Sequence, residues 1–201
     1  MINKQQQILE AAKSLFIEKG FAETSIDDIR LRAGVSKQTI YSYYDGKAAL
    51  LFGAINQQLN RMSNDDFLAK LSRLQFDTPE QVEASLARFA IDLLDQFMQI
   101  DYLKIARVVV AEIVRFPELG RLFRDAVPLH VLHTVEQVLA LANQSSVIHI
   151  DNPQLAARSF IGTIITYIFI DGVLSGNDAP LRPTEQEIKQ VIAFYMPAIL
   201  A

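Results

Sequence analysis

Apolar residues recur at helical spacing along almost the whole chain of 201 residues. Four of them share one face of a first helix, Ile8, Ala12, Leu15 and Phe16. We expect Gly20 to end that helix. No pair of segments alternates apolar and polar residues as paired strands do. The pattern predicts an all-α fold with a three-helix head and a larger helical body, its later helices at about 80–100, 101–116, 117–142, 153–175 and 184–200.

The residues that begin and end helices are regularly placed within the head. Ser25 can cap a second helix, and Asp28, three residues later, approximates the acidic partner of a capping box. Gly34 suits a turn that requires positive φ, and Ser36 is the expected N-cap of a third helix. The sequence therefore predicts two short helices joined by a tight turn.

A fourth helix and the connector after it indicate where the domains divide. We expect this helix to begin near Asp45 and to reach about Met62. The helical pattern weakens over residues 63–79, which predicts a connector between helices. We therefore expect a head domain at 1–50 and a second domain at 51–201.

Charge and cysteine content narrow the possible functions. Residues 1–50 carry seven basic and six acidic side chains, whereas the whole chain has a net charge of −4. Any contact with nucleic acid should therefore be local. The absence of cysteine fits a reducing cytoplasm and excludes disulfides. The sequence has no glycine-rich phosphate loop and no nucleophile elbow, so we expect neither an enzyme nor a cofactor.

The most apolar run of the chain lies at residues 160–174. It is shorter than the ~20 residues of a membrane span and contains Asp171, so we expect a helix buried in the protein. The first residues lack the apolar centre of a secretion signal. The sequence therefore predicts a cytoplasmic protein without a membrane partner.

The stretch AGVSKQTIYSYYDGK, at 33–47, has the spacing of a helix-turn-helix. Its second helix could present Lys37, Gln38 and Thr39 to base edges in the major groove, while Ile40 faces the core. Glycine turns between amphipathic helices are also common in proteins that do not bind DNA. Spacing alone leaves both interpretations open.

The longer segment 24–50 resembles the DNA-binding segment of the TetR family of bacterial transcriptional regulators. That family typically has Thr-Thr, Ile, Ala-Gly-Val-Ser, Tyr-x-Tyr-Phe and Lys in this order; here Ser25 replaces the second threonine and Tyr44 the phenylalanine. The resemblance implies base contacts from Lys37, Gln38 and Thr39, and phosphate contacts from several other residues. The full set of expected DNA-binding residues is Ser25, Ser36, Lys37, Gln38, Thr39, Tyr41, Tyr43, Tyr44 and Lys47.

Dimerisation would double the contacts of such a head and select a palindromic operator. In the TetR family the last two helices of each subunit form a four-helix interface. The apolar stripe of the last helix and the apolar run before it fit that role, although both could instead be buried in a monomer. The expected interface residues are Ile168, Gly172, Ile188, Val191, Ile192, Tyr195 and Ile199.

The segment 107–127 resembles the C-terminal domains of the AefR-type branch. This resemblance implies a chamber for a small organic effector, walled by helices from about 80 to 175. Each candidate lining residue combines bulk with occasional polarity, as pockets for organic molecules do, but each could also be an ordinary core residue. The candidates are Phe89, Met98, Ile105, Val109, Phe116, His133, Phe160, Thr163 and Tyr167.

A few polar residues of the body have several interpretations. Glu112 and Arg115 lie in an apolar segment and could line the chamber, pair with other groups or face solvent. His130, His133 and Glu136 are three residues apart, which is weak evidence for a metal site. We therefore expect no bound metal.

These features together predict a dimeric repressor that a small organic ligand releases from its operator. We expect the fourth helix, which joins the head to the body, to be the lever. The alternative is a helical small-molecule-binding protein that does not bind an operator.

Overall fold

We describe residues 3–60, 71–176 and 179–200 in a computed structural model of the protein. Helices dominate these residues, and the only strand-like feature among them is an isolated bridge between Ile148 and Leu200. The predicted all-α fold is confirmed. The helices are α1 Lys4–Glu23, α2 Ile26–Ala33, α3 Lys37–Tyr41, α4 Lys47–Asn60, α5 Pro79–Phe97, α6 Ile100–Glu112, α7 Pro117–Ala126, α8 Pro128–Ala142, α9 Pro153–Thr166 and α10 Glu185–Tyr195.

The described residues divide into two compact units, the first within 1–61 and 101–126 and the second within 62–100 and 127–201. The first unit therefore contains α6 and α7 in addition to α1, α2, α3 and α4. The domain boundary at residue 50 stays a prediction. Two expectations fall outside the described residues. They are the end of the fourth helix near Met62 and the part of the connector at 63–70.

Helix α1 is the centre of the first unit. Ile8, Leu15 and Phe16 are buried, and α2 and α4 both pack against α1. The regular helix is broken at Gly20, as predicted, because this residue has φ 81° and ψ 169°, and one further turn to Glu23 follows the break. Thr24 stabilises the break, since its hydroxyl donates to the carbonyl oxygen of Gly20 at 2.7 Å.

Helix α9 begins before the apolar run and continues into a π-helix at Tyr167–Val173. The continuous helix Pro153–Val173 is 21 residues long, so by length and composition alone it could cross a membrane. Such a helix is weak evidence for a span. In its most apolar window 28% is buried, and the buried residues of the run are Phe160, Ile164, Ile168, Gly172 and Val173, so the expected burial holds for one side of the helix. One side of the helix packs within the chain, and the other has no cover among the described residues.

Candidate nucleic-acid interface

The turn between α2 and α3 has the predicted conformation. Gly34 adopts the left-handed conformation with φ 63° and ψ 35°, and the amide of Val35 donates to the carbonyl of Arg30 at 3.1 Å. Ser36 then caps α3, because its hydroxyl accepts from the amide of Thr39 at 3.0 Å. These local contacts fix where α3 begins and which side chains it exposes.

The short helix α3 has a buried side and an exposed side. Ile40 is completely buried, whereas Lys37 and Gln38 are exposed. Thr39 is half-buried, and its hydroxyl oxygen lies 2.8 Å from that of Ser36. The structure therefore brings Lys37 and Gln38 to the surface where a DNA groove could be read, and it gives Thr39 an additional role at the cap.

Lys37 has a partner on α2 in this structure. Its ammonium lies 3.3 Å from Oδ2 of Asp27, and Oδ1 of the same carboxylate accepts a 2.8 Å bond from Arg30. The hydrogen bond from Arg30, with a further one from Lys37, lowers the pKa of the Asp27 carboxyl. The Lys37–Asp27 pair is solvent-exposed and therefore weak, so DNA could compete for Lys37.

The three tyrosines that follow α3 have different environments. The side chains of Tyr41 and Tyr43 are 49% and 45% exposed, as expected of groups that reach phosphates. The hydroxyl oxygen of Tyr44 is enclosed by protein, and burial raises its pKa. A Cβ atom at Gly53 would lie 3.0 Å from the Tyr44 ring and 2.8 Å from Leu9. Tyr44 thus fills the space between α1 and α4.

The hydroxyl of Ser25 takes part in a complete capping box. It accepts from the amide of Asp28 at 3.0 Å, while the Asp28 carboxylate accepts from the amide of Ser25 at 3.0 Å. The hydroxyl also donates to this carboxylate at 2.8 Å, and these bonds lower the pKa of Asp28. The predicted phosphate contact of Ser25 thus competes with a bond inside the protein.

Lys47 points toward the end of α1. Its ammonium donates to the carbonyl of Ala22 at 3.1 Å and lies 4.4 Å from the centre of the Phe21 ring. Partial burial lowers the pKa of Lys47. In this structure Lys47 therefore connects α4 to α1, and a phosphate contact requires its side chain to leave both partners.

The sequence did not predict how α6 contacts the head. The carboxylate of Glu112 accepts from the amide of Ala22 at 3.2 Å. Phe116 packs edge-on against Phe21, with 5.1 Å between ring centres. Pairing was one of the three interpretations given for Glu112, but its partner is a backbone amide ninety residues away. No spacing rule reveals such a contact.

The expected ligand-binding residues are distributed over both units. Phe89, Met98 and Phe160 are buried in the second unit, where the rings of Phe89 and Phe160 stack at 6.0 Å. In that unit Tyr167 is half-buried, whereas Thr163 and His133 are exposed. Ile105 and Val109 are buried in the first unit, which also contains Phe116. Their role in binding a ligand stays a prediction.

His130, His133 and Glu136 are weak evidence for a metal site, and no bound metal is expected. Nδ1 of the exposed His133 lies 3.6 Å from Oε2 of the half-buried Glu136 on α8. Within the described part of the chain, no group of three or more His, Asp or Glu side chains is arranged to hold a metal ion.

The expected dimer residues are mostly buried inside their own chain. Ile168, Gly172, Ile188, Ile192 and Ile199 are all buried. Val191 and Tyr195 are half-buried, and the Tyr195 hydroxyl donates to the carbonyl of Ala156 at 2.9 Å. The apolar stripe of α10 therefore packs within the protomer. Other apolar residues in and next to these helices are exposed, among them Leu155, Ile165, Phe169, Ile170, Leu174 and Phe194.

Two family descriptions match separate parts of the chain. Residues 8–54 match the bacterial regulatory proteins of the tetR family. Residues 84–200 match the C-terminal domain of AefR-like transcriptional repressors. The first match includes α2, the turn and α3, and the second includes α9 and α10.

Individual relatives agree with this assignment. The transcriptional repressor AcnR of Corynebacterium diphtheriae is 27% identical over 147 residues, which cover 68% of this chain and 77% of AcnR. YerO of Bacillus subtilis, described as an uncharacterized HTH-type regulator, is 37% identical over 68 residues, or 32% of this chain. The matches to YerO and to EthR of Mycolicibacterium smegmatis span only 24% and 27% of those proteins.

Solved structures share the fold over nearly the whole chain. The flavonoid-responsive regulator FrrA has a TM-score of 0.75 and 29% identity, with 98% of this chain and 97% of that chain covered. A TetR regulator from Agrobacterium tumefaciens also has a TM-score of 0.75, at 20% identity, and covers 98% and 94% of the two chains. The chain belongs to the TetR family of bacterial regulatory proteins, and its C-terminal part matches the AefR-like domain.

Proposed function

We propose that this chain is a cytoplasmic, dimeric transcriptional regulator that binds a palindromic operator and is released by a small organic ligand. The observation that carries the proposal is the division of α3 into a buried side at Ile40 and an exposed side at Lys37 and Gln38. A recognition helix needs such an anchor and such polar groups to read base edges. The AefR-like match supports repression as its mode of control.

The exposed apolar face of the second unit supports a homodimer. Phe169 is 42% exposed and Phe194 is 86% exposed. The bond from Tyr195 to Ala156 joins the end of α10 to the first turn of α9, and Phe169 lies in the π-helix that continues α9. Large exposed apolar patches usually mark interaction sites. We infer that this face, rather than the buried stripe of α10, meets the partner subunit.

Contacts at the end of α1 support a route from the body to the recognition helix. Ala22 accepts from Lys47 at the start of α4 and donates to Glu112 at the end of α6. A ligand can shift an equilibrium only by binding the two states differently. We infer that effector binding changes the bond between Glu112 of α6 and the amide of Ala22. Because Lys47 connects Ala22 to α4, this change then shifts α4 and with it the head.

The alternative is a helical small-molecule-binding protein that does not bind an operator. DNA taken from upstream of its own gene discriminates between the two functions in a gel-shift assay at several salt concentrations. Binding that exceeds binding to a scrambled duplex and falls with added salt supports the regulator. Ligand uptake without any retention of DNA supports the alternative.

Replacing Gln38 by alanine should relax base preference more than it lowers total affinity. A well-placed amide that pairs with a base contributes about 1–3 kcal/mol of discrimination, whereas phosphate contacts remain after its loss. The measurement is the ratio of the affinity for the operator to the affinity for each single-base variant of the operator.

Gln137→Ala is the matched control, because Gln137 is an exposed glutamine on α8 of the second unit. We expect this control to leave the ratio unchanged. A Gln38→Ala protein with the affinity and base preference of the original chain would remove Gln38 from the readout.

A further inference from the structure

A groove of about 370 Å³ lies between α1 and α6 within the first unit. Its α1 side includes Phe16 and Ile17, and its α6 side includes Lys104, Arg107 and Val108. Both helices belong to one compact unit, so the groove does not depend on how the two units are arranged. Its volume falls within the range of small-molecule pockets.

The apolar part of the groove comes from residues on both helices. Ile17 on α1 and Val108 on α6 are half-buried and still have apolar surface exposed to water, whereas Phe16 is completely buried. Ala111 adds a small side chain on α6. An apolar chain or a flat aromatic ring that replaced water here would remove apolar surface from solvent on both sides.

The polar part of the groove is mainly cationic. Lys104 and Arg107 are three residues apart on α6, so their side chains share one face of that helix. Both also interact with other groups of the protein, and a ligand would share them with those groups. The single carboxylate, Glu112, accepts from the amide of Ala22. An anionic group is therefore favoured near Lys104 and Arg107.

We propose that this groove binds an amphipathic carboxylate, with its apolar body against Ile17 and Val108 and its carboxylate near Lys104 and Arg107. The groove also includes Gly20 and Glu112, which lie at the break in α1 and at its contact with α6. A molecule bound there acts on the turn of α1 that holds Lys47. It is a second effector site, on the DNA-binding unit itself. This regulatory part rests on the proposed function, whereas binding to the groove does not.

The probe is 1-naphthoate, which combines a flat apolar body with one carboxylate, and its neutral match is 1-naphthamide. Calorimetric titration of the full chain should give a dissociation constant of about 1 mM or tighter for the carboxylate. The double variant Lys104→Gln/Arg107→Gln should weaken binding about tenfold. The amide should bind the original chain about tenfold more weakly than the carboxylate does.

Two further variants locate the site. Val108→Trp fills the groove and should abolish binding, with circular dichroism as the check that the variant is folded. Arg121→Gln/Arg124→Gln removes two exposed cations of α7 in the same unit and should leave binding unchanged. The absence of saturable binding of 1-naphthoate, or equal affinity for 1-naphthamide, would overturn the proposal. Equal losses of affinity in the Lys104→Gln/Arg107→Gln and Arg121→Gln/Arg124→Gln proteins would also overturn it.

A gel shift with and without 1-naphthoate tests the regulatory part separately. A change in operator affinity that disappears in the folded Lys104→Gln/Arg107→Gln protein supports control through the groove. Binding that leaves operator affinity unchanged overturns that control. If the protein binds no operator at all, the proposed function fails, and the titration still decides whether the groove is a site.

Discussion

Replacing both Phe169 and Phe194 by aspartate should give a folded monomer that binds its operator at least about a hundredfold more weakly. Both side chains are exposed in the protomer, so the substitutions leave its core intact. In a dimer the same positions would bury unpaired carboxylates, which is costly. A single head then makes half of the DNA contacts and loses the gain from two linked sites.

Sedimentation and a gel shift measure the two consequences. Val114→Asp is the matched control, because Val114 is also apolar and is 90% exposed, but lies between α6 and α7 in the first unit. We expect this control to remain a dimer with unchanged operator affinity. A Phe169→Asp/Phe194→Asp protein that still sediments as a dimer would place the interface elsewhere.

The substitution Phe16→Ala should lower the free energy of unfolding by about 3–5 kcal/mol, the range typical of a buried aromatic residue. Phe16 is completely buried, and its ring centre lies 5.5 Å from that of Phe21. Phe21 in turn packs against Phe116 and beneath Lys47, so the cavity would weaken the packing that connects α1, α4 and the end of α6.

Urea denaturation of the two proteins gives this difference. Leu31→Ala is the control, because Leu31 on α2 is 69% exposed and its loss should cost less than about 0.5 kcal/mol. If Phe16→Ala lowers the free energy of unfolding by less than about 1 kcal/mol, the stability of the head does not depend on this aromatic packing.

The turn and the helix starts of the head could be predicted because they depend on local chemistry. Gly34 has the positive φ that its position requires, and the hydroxyls of Ser25 and Ser36 bond to amides three residues later. Such contacts join residues that are close in sequence. Their donors, acceptors and spacing can therefore be read without knowledge of the rest of the fold.

The directions of Lys47 and Glu112 could not be predicted because they depend on distant parts of the chain. The sequence places Lys47 near the start of a helix, but its ammonium bonds to Ala22, twenty-five residues earlier. Glu112 bonds to the amide of the same residue from a helix much later in the chain. Residue type and periodicity do not specify these partners.

The stripe on α10 illustrates a different limit. Helical spacing correctly indicates that Ile188 and Ile192 are buried, but it does not say which chain buries them. In the structure their own protomer does so. The expected interface residues stay a prediction. The exposed apolar side chains that we propose for the interface can be recognised only in the folded protomer.

We expect two copies of α3 to read DNA in successive major grooves. Selection of binding sites from a pool of random duplexes measures whether they do. We predict enrichment of a palindrome whose half-sites lie about one or more helical turns apart, with two protomers bound per duplex. The enrichment should weaken in the Gln38→Ala protein. An unenriched pool, or a single half-site bound by one protomer, would contradict the reading of DNA by two copies of α3.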